Sequence, residues 1–427
     1  MSKEKIIRLF GLIVFLLATL FFFEEFFLRV FLGTIANDIM KDFKLNAEQF
    51  SILCAAYYIP YAIMQIPVGI LVDKFGVKPF LILATAICGL GVFQFCFTDT
   101  FYLGVLGRVL IGFGSSFAFV SLIVLAINWF PQKHIGFFSG LAQFLGAVGP
   151  LLAGVPLALL LIEVNGNWRL ILSFIGGFSF VLCLLIAFIL KDKPKGQPAA
   201  IIFIPTKEPL GKRIFSLLKN FQIWFLILTA GLGYVSIPLL GAYWGTSYLQ
   251  SRGFSNITAS SIISMIWLGY GVSCPIIGKM SDKIKRRKPF IVIGPLIGII
   301  TTLIILFIPI HQASLLYPLF LLTGVAGGCQ SLTFPMINEK IQENLQGTAI
   351  GLNNTSIMAM GAIIPPFASS LMHTNQTLQN SNYIYTTADF LRGLSIMPIL
   401  FLLAFLIAFF GIRETFCRSQ EKVHHLD

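Results

Sequence analysis

Apolar residues run along the chain in twelve long stretches. They lie near 9–35, 47–72, 79–98, 101–127, 134–161 and 168–190, then near 220–249, 256–280, 289–310, 314–338, 346–372 and 387–412. A helix that crosses a hydrocarbon layer about 30 Å thick needs roughly 20 apolar residues, so each stretch predicts one crossing. Lys3, Lys5 and Arg8 precede the first stretch as in a secretory leader, but no small-residue cleavage site follows, which makes this an uncleaved first span. The only long interruption is KDKPKGQPAAIIFIPTKEPLGKR, after the sixth stretch. Its AAIIFI core is too short to span and reads as a segment on the membrane surface or against the bundle. The pattern predicts an all-α membrane protein: a six-helix bundle over 1–195, a cytoplasmic linker over 196–218, a second six-helix bundle over 219–412 and a cytoplasmic tail over 413–427.

Composition agrees. Of the 427 residues, 56% are hydrophobic and 11% charged, far from the roughly 25% charged residues of soluble domains. The formal charge of +12 is mainly a topology signal. With the N-terminus inside, 23 of the 30 Lys and Arg residues fall on cytoplasmic segments, and Lys41, Lys44, Arg169 and Arg252 fall outside. Both termini are therefore expected in the cytoplasm. KIKRRK at 283–288 would also attract anionic lipid head groups, and nothing in the pattern calls for nucleic acid. Six of the seven cysteines lie in spans, without CxxC or Cys/His spacing, so neither disulfides nor a metal site is expected. Neither a P-loop nor a nucleophile elbow is present. An enzyme is disfavoured, no cofactor is implied, and work must draw on an ion gradient or a separate subunit.

An internal repeat gives the organisation. GILVDKFGVKPF (Gly69 to Phe80) follows the second span, and GKMSDKIKRRKPF (Gly278 to Phe290) follows the eighth. GFFSGL at 136–141 and GAVGP at 146–150 in the fifth span parallel GTAIGL at 347–352 and GAIIP at 361–365 in the eleventh. Two similar six-helix halves follow.

The loop Gly69, Asp73, Lys74, Gly76, Lys78 fills the pattern G-x-x-x-D-[RK]-x-G-x-[RK] between spans two and three. In this the chain resembles the major facilitator superfamily over its whole length. Arg108, with Gly107, Gly112 and Gly114, is similar to that family's fourth-helix motif. The resemblance implies pseudo-symmetric bundles giving alternating access to a central site. It also implies gating roles for Gly69, Asp73, Lys74, Gly76, Lys78 and Arg108, and for Asp282 and Lys283 in the second copy. That copy departs from the pattern, since Lys285 stands where Gly76 would, with one residue inserted. Asp73 is expected to face the N-terminus of span eleven and Asp282 the start of span five, each contact contributing about 0.3–2 kcal/mol.

FFFEEFFLRVFLG, residues 21 to 33, holds Glu24, Glu25 and Arg29 inside span one. Buried charge at this depth is costly and normally faces a bundle interior or a watery cavity. Glu25 and Arg29 are four apart and share a helix face. Glu24 is turned by about 100° from Glu25. Glu25 beside Arg29 is expected to stay ionised, which leaves Glu24 for reversible protonation. Tyr57, Tyr61 and Gln65 form a polar stripe on span two. In the second half the polar candidates are Tyr234, Tyr243 and Trp244 on span seven, Gln330 on span ten, and Asn353 and Asn354 on span eleven.

An arginine in a cavity recognises carboxylate or phosphate through paired hydrogen bonds, while a glutamate accepts an ammonium or carries a proton. The expected partner is a small anionic or zwitterionic solute: an organic acid, amino acid, short peptide or siderophore. Uptake is expected to be driven by protons, or else by sodium, through a monomer in a bacterial inner membrane. The EFFLR and YYIPYAIMQIPVG runs resemble a bacterial nutrient-uptake branch of the superfamily. The competing reading is efflux, because GAVGPLLAG at 146–154 partly matches the span-five stretch of drug/proton antiporters, with Ala153 replacing one glycine. A transport-like receptor is a third reading.

Overall fold

The computed structural model describes residues 3–130, 135–194, 209–341, 345–372, 377–379 and 382–417. In the first half, span one is α1 (Lys3–Thr34), followed by the short α2 (Ala36–Asp42); spans two and three are α3 (Ala47–Phe75) and α4 (Val77–Cys96). Span four is α5 (Phe101–Ser115) continued by α6 (Ala118–Trp129), span five is α7 (Ile135–Leu152) continued by α8 (Val155–Glu163), and span six is α9 (Trp168–Ile189). After α10 (Leu210–Leu218), span seven runs through α11 (Phe221–Gly233), a π-helical stretch (Ile237–Trp244) and α12 (Gly245–Ser251). Spans eight and nine are α13 (Asn256–Ile284) and α14 (Lys288–Phe307). Span ten joins α15 (Ala313–Cys329) to α16 (Thr333–Glu339), span eleven is α17 (Gln346–Ser370), and span twelve joins α18 (Thr387–Leu394) to α19 (Ile396–Leu406). Eleven of these crossings are long and apolar enough by themselves. The twelfth, α17, is more polar because Asn353 and Asn354 fall within its 25 residues. The only strands among the described residues are β1 (Thr377–Gln379) and β2 (Asn382–Ile384), an antiparallel pair with Thr377 opposite Ile384.

The breaks have local causes. Span seven widens into π-helix just after Ser236, at Pro238, whose missing N–H cannot continue the α-helical ladder. Span five breaks where Pro150 is followed by Gly154, with Pro156 opening the next helix. Gly76 ends α3 at φ +87°, a region closed to other residues. Lys285, its counterpart in the repeat, ends α13 at φ +53°, in the left-handed helical region that a side chain can still enter.

The chain packs as two compact units, Met1–Phe31 with Ala56–Phe203, and Leu32–Ala55 with Ile204–Asp427. Within the first, a Cβ at Gly112 on α5 would collide with the backbone carbonyl of Tyr57 on α3. Within the second, Gly324 on α15 meets the carbonyl of Ile266 on α13 in the same way. Small residues let helix backbones touch, and the repeat uses one device twice: span four against span two, span ten against span eight. The segment Leu32–Ala55 is tied into the second unit by Trp244 Nε1, which donates to Ser51 Oγ at 3.1 Å and to Ser369 Oγ at 3.0 Å. Asn37 Nδ2 donates to Gln250 Oε1 at 3.0 Å.

Gly112→Ala should therefore force α3 and α5 apart and cost about 1–3 kcal/mol, seen as a lower melting temperature of the purified protein. Gly177→Ala on α9, where a Cβ meets nothing within 4 Å, should leave the melting temperature unchanged. Equal effects would contradict the close-packed crossing.

Candidate functional site

In the first unit the charges of span one are divided between two directions. Glu25 Oε1 accepts from Arg29 Nη2 one helical turn away and from the Tyr57 hydroxyl at 2.6 Å. The Arg29 guanidinium lies 4.4 Å from the centroid of Phe26 and 5.0 Å from that of Tyr61, so aromatic faces hold its flanks. Arg108 reaches the same place from α5. Its guanidinium stands 5.0 Å from the Tyr57 ring and 5.4 Å from the Phe31 ring, and Nη1 donates to the Leu28 carbonyl at 2.7 Å. Two arginines and one glutamate thus meet around Tyr57, each 3% exposed or less. The Gln65 amide donates to the Tyr61 carbonyl at 3.1 Å.

Glu24 points elsewhere. Its Oε1 accepts from Ser179 on α9, and its Oε2 is buried with no hydrogen-bond partner among the described residues. The roughly 100° between adjacent helical positions sends one glutamate toward α3 and the other toward α9.

In the second unit the sequence candidates separate into three places. Asn353 Nδ2 donates to Thr333 Oγ1 at 2.9 Å, and Thr333 Oγ1 donates to the Gln330 carbonyl at 2.8 Å. The Gln330 and Asn353 side-chain oxygens are buried without hydrogen-bond partners among the described residues. Asn354, the next residue, is half-buried. The Tyr243 hydroxyl donates to the Gly361 carbonyl at 3.1 Å, whereas adjacent Trp244 holds Ser51 and Ser369. Tyr234 is buried edge-on against Tyr270, with ring centroids 5.8 Å apart.

The two loop motifs are anchored within their own halves. Gly76 is crowded by the Asp192 carboxylate, which accepts the Lys78 N–H at 2.7 Å just beyond span six. Glu414, just beyond span twelve, accepts the Arg287 and Lys288 N–H groups at 3.0 Å each. Each half thus caps its third helix with a carboxylate that follows its sixth, where the unpaired N–H groups favour an anion. Asp282 is bound by Arg287 at 2.9 Å, and Arg287 also meets Glu339 at 2.8 Å. Burial alone would lower the Arg287 guanidinium, but Glu339 and Asp282 outweigh it and hold it above the ordinary arginine range. Lys74 Nζ lies 5.1 Å from the Phe75 ring, Gly69 is buried, and Lys283 is exposed. The Asp73 side chain and residues 131–134 at the start of span five lie outside the described residues. No group of three or more metal-ligating side chains occurs among the described residues.

Gly76→Ala should be costly for two reasons, the positive φ and the collision with Asp192. We expect a marked fall in melting temperature, partly recovered when Gly76→Ala is made in, and compared with, an Asp192→Ala background, which lacks the collision and the cap but keeps the strain. No recovery would mean that the strain alone sets the loss.

Sequence reasoning placed Arg108 in a gating motif and passed over Thr333 and Ser179. Arg108 could have been added to the site on one signal, since it is one of the few basic residues well inside the expected spans. Thr333 and Ser179 carry no such mark.

The Major Facilitator Superfamily family profile matches residues 9–365. The lysosomal dipeptide transporter MFSD1 of Bos taurus is 24% identical over 416 residues, covering 93% of this chain and 85% of that protein. The probable sulfoacetate transporter SauU of Cupriavidus necator is 30% identical over 175 residues, which are 41% of this chain and 40% of that transporter. Among solved structures, a bacterial homologue of the human lysosomal transporter Spinster, inward-facing and unoccupied, shares the fold with a TM-score of 0.73. It is 16% identical, and the match covers 96% of this chain and 97% of that one. With eleven helices among the described residues long and apolar enough to cross a membrane, a loop motif repeated after the second and eighth spans, and a profile match over most of its length, the chain belongs to the Major Facilitator Superfamily.

Proposed function

We propose that the protein is a secondary active transporter that takes up a small anionic or zwitterionic solute by alternating access, driven by protons. The observation that carries this reading is the meeting of charges around Tyr57: the Arg29 and Arg108 guanidinium groups both stand against its ring, and the Glu25 carboxylate accepts from Arg29 and from the Tyr57 hydroxyl. Two buried guanidinium groups side by side favour an incoming carboxylate, sulfonate or phosphate, which they can grip through charge-assisted hydrogen bonds. Arg29 and Arg108 bind the anionic end, with Tyr57 and Tyr61 forming the walls. Gln330, Asn353 and Asn354, with Tyr234, Tyr243 and Trp244, supply neutral contacts from the second half. Glu24 is the proton site.

The relatives support this substrate class. A dipeptide is a zwitterion and sulfoacetate is a dianion, and both present a carboxylate. The glycine run once weighed for efflux has a packing explanation, since a Cβ at Gly149 would collide with the Phe23 carbonyl and one at Gly146 would meet the Phe22 ring at 2.6 Å. In this reading both termini face the cytoplasm from a bacterial inner membrane, which the distribution of basic residues supports, and the Asp73 and Asp282 loops gate the inner side. The test is counterflow in proteoliposomes against a panel of labelled amino acids, dipeptides, organic acids, sulfoacetate, siderophores and cationic drugs. Exchange restricted to carboxylate-bearing solutes is expected. Exchange of cationic drugs alone would overturn the proposal in favour of efflux.

A further inference from the structure

We propose that the first unit carries a second ligand site, a side pocket that binds lipophilic primary amines with the ammonium against Glu24. The pocket holds about 530 Å³, within the range of roughly 300–1,000 Å³ typical of small-molecule sites. Its walls come from Phe23 and Phe27 on α1, Leu157 and Leu160 on α8, and Phe174 and Phe178 on α9, with Glu24 as their one charged neighbour. Leu160 and Phe174 are half or more exposed and lie on segments long and apolar enough to cross a membrane, so the pocket opens on a face that such segments turn to lipid.

Glu24 makes this more than an apolar groove. One of its oxygens is held by Ser179, while the other is buried without a hydrogen-bond partner. A buried carboxyl oxygen left unpaired is costly, and a donor brought to it recovers that cost. A hydrophilic cation would have to shed its hydration to cross the lipid. A lipophilic amine enters the hydrocarbon neutral, lays its chain along the phenylalanine and leucine walls, and brings a nitrogen to Glu24. If Glu24 is protonated, the nitrogen lone pair takes the carboxyl proton and leaves an ammonium–carboxylate pair; if it is ionised, the amine arrives with its own proton. A lipid acyl chain would cover the walls but offer the carboxyl nothing, and an anionic amphiphile would be repelled. Glu24 faces α9 and Glu25 faces α3, so this site is separate from the arginine cluster.

The test is equilibrium binding of radiolabelled dodecylamine and dodecanol, matched in chain length, to the full-length protein in phosphatidylcholine nanodiscs, with empty nanodiscs subtracted. Dodecylamine should bind about tenfold more tightly or better, the increment of a charge-assisted hydrogen bond. Glu24→Gln, whose carboxamide oxygen can still accept from Ser179, should remove that advantage and leave dodecanol binding unchanged. Leu160→Trp, at a half-exposed position that tolerates a larger side chain, should weaken both probes. Equal affinity for the two probes would overturn the proposal and mark the pocket as an acyl-chain groove. An amine preference that survives Glu24→Gln, or dodecylamine binding unaffected by Leu160→Trp, would also overturn it. Because binding is measured without transport, the result stands apart from whether Glu24 carries the coupling proton.

Discussion

Arg29→Lys should bind the transported solute at least about tenfold more weakly while still reaching the membrane folded. Lysine keeps the positive charge and can still pair with Glu25 four residues away, so no buried carboxylate is stranded. What it loses is the planar fork that grips a carboxylate with parallel hydrogen bonds and stands over the Phe26 and Tyr61 rings. A charge-assisted hydrogen bond contributes about 1.5–3 kcal/mol, which sets the expected factor. The measurement is concentration-dependent counterflow, comparing half-saturation with maximal rate. Arg108→Lys should weaken binding too, and the double variant should lose less than the two losses combined, because both arginines meet at Tyr57. Normal half-saturation in Arg29→Lys would make Arg29 a structural partner of Glu25 and nothing more. Arg29→Ala would be a poorer test, since it leaves Glu25 buried without its counter-charge, at a cost of about 3–5 kcal/mol.

Glu24→Gln should abolish uphill accumulation in response to an imposed pH gradient and leave solute exchange near its normal rate. The substitution keeps the shape of the side chain and an oxygen that can accept from Ser179. It removes only the group that can gain and lose a proton. Glu25→Gln should behave differently, lowering solute affinity as well, because its carboxylate holds both Arg29 and the Tyr57 hydroxyl in place. Both variants belong in the same vesicles, measured with and without the gradient. Persistent uphill accumulation by Glu24→Gln, or accumulation that follows sodium, would remove the proton assignment from this residue.

The all-helical membrane fold was legible because a bilayer demands long apolar runs, and the family was legible because the loop after span two is repeated after span eight. The Glu25–Arg29 pair was legible too, since four residues make one helical turn. What lay beyond reach was the identity of the neighbouring helix. The sequence shows that Glu24 and Glu25 diverge, but not that α9 supplies Ser179 to one and α3 supplies Tyr57 to the other. Arg108 is a similar case: its loop-and-glycine context pointed to a familiar motif, while its contact with Tyr57 depends on how closely Gly112 lets α5 approach α3. Trp244 finds Ser51 and Ser369 across long stretches of chain, and no periodicity announces such a meeting.

The central claim is that the buried guanidinium groups of Arg29 and Arg108 select a solute by its negative end. Counterflow of the carboxylate-bearing solute that the panel selects and of its neutral amide, in the same proteoliposomes, tests this most directly, because the two differ only in the carboxylate. The account predicts exchange of the acid and none of the amide, with discrimination falling in Arg29→Lys. Equal exchange of both, or exchange of the amide alone, would contradict it.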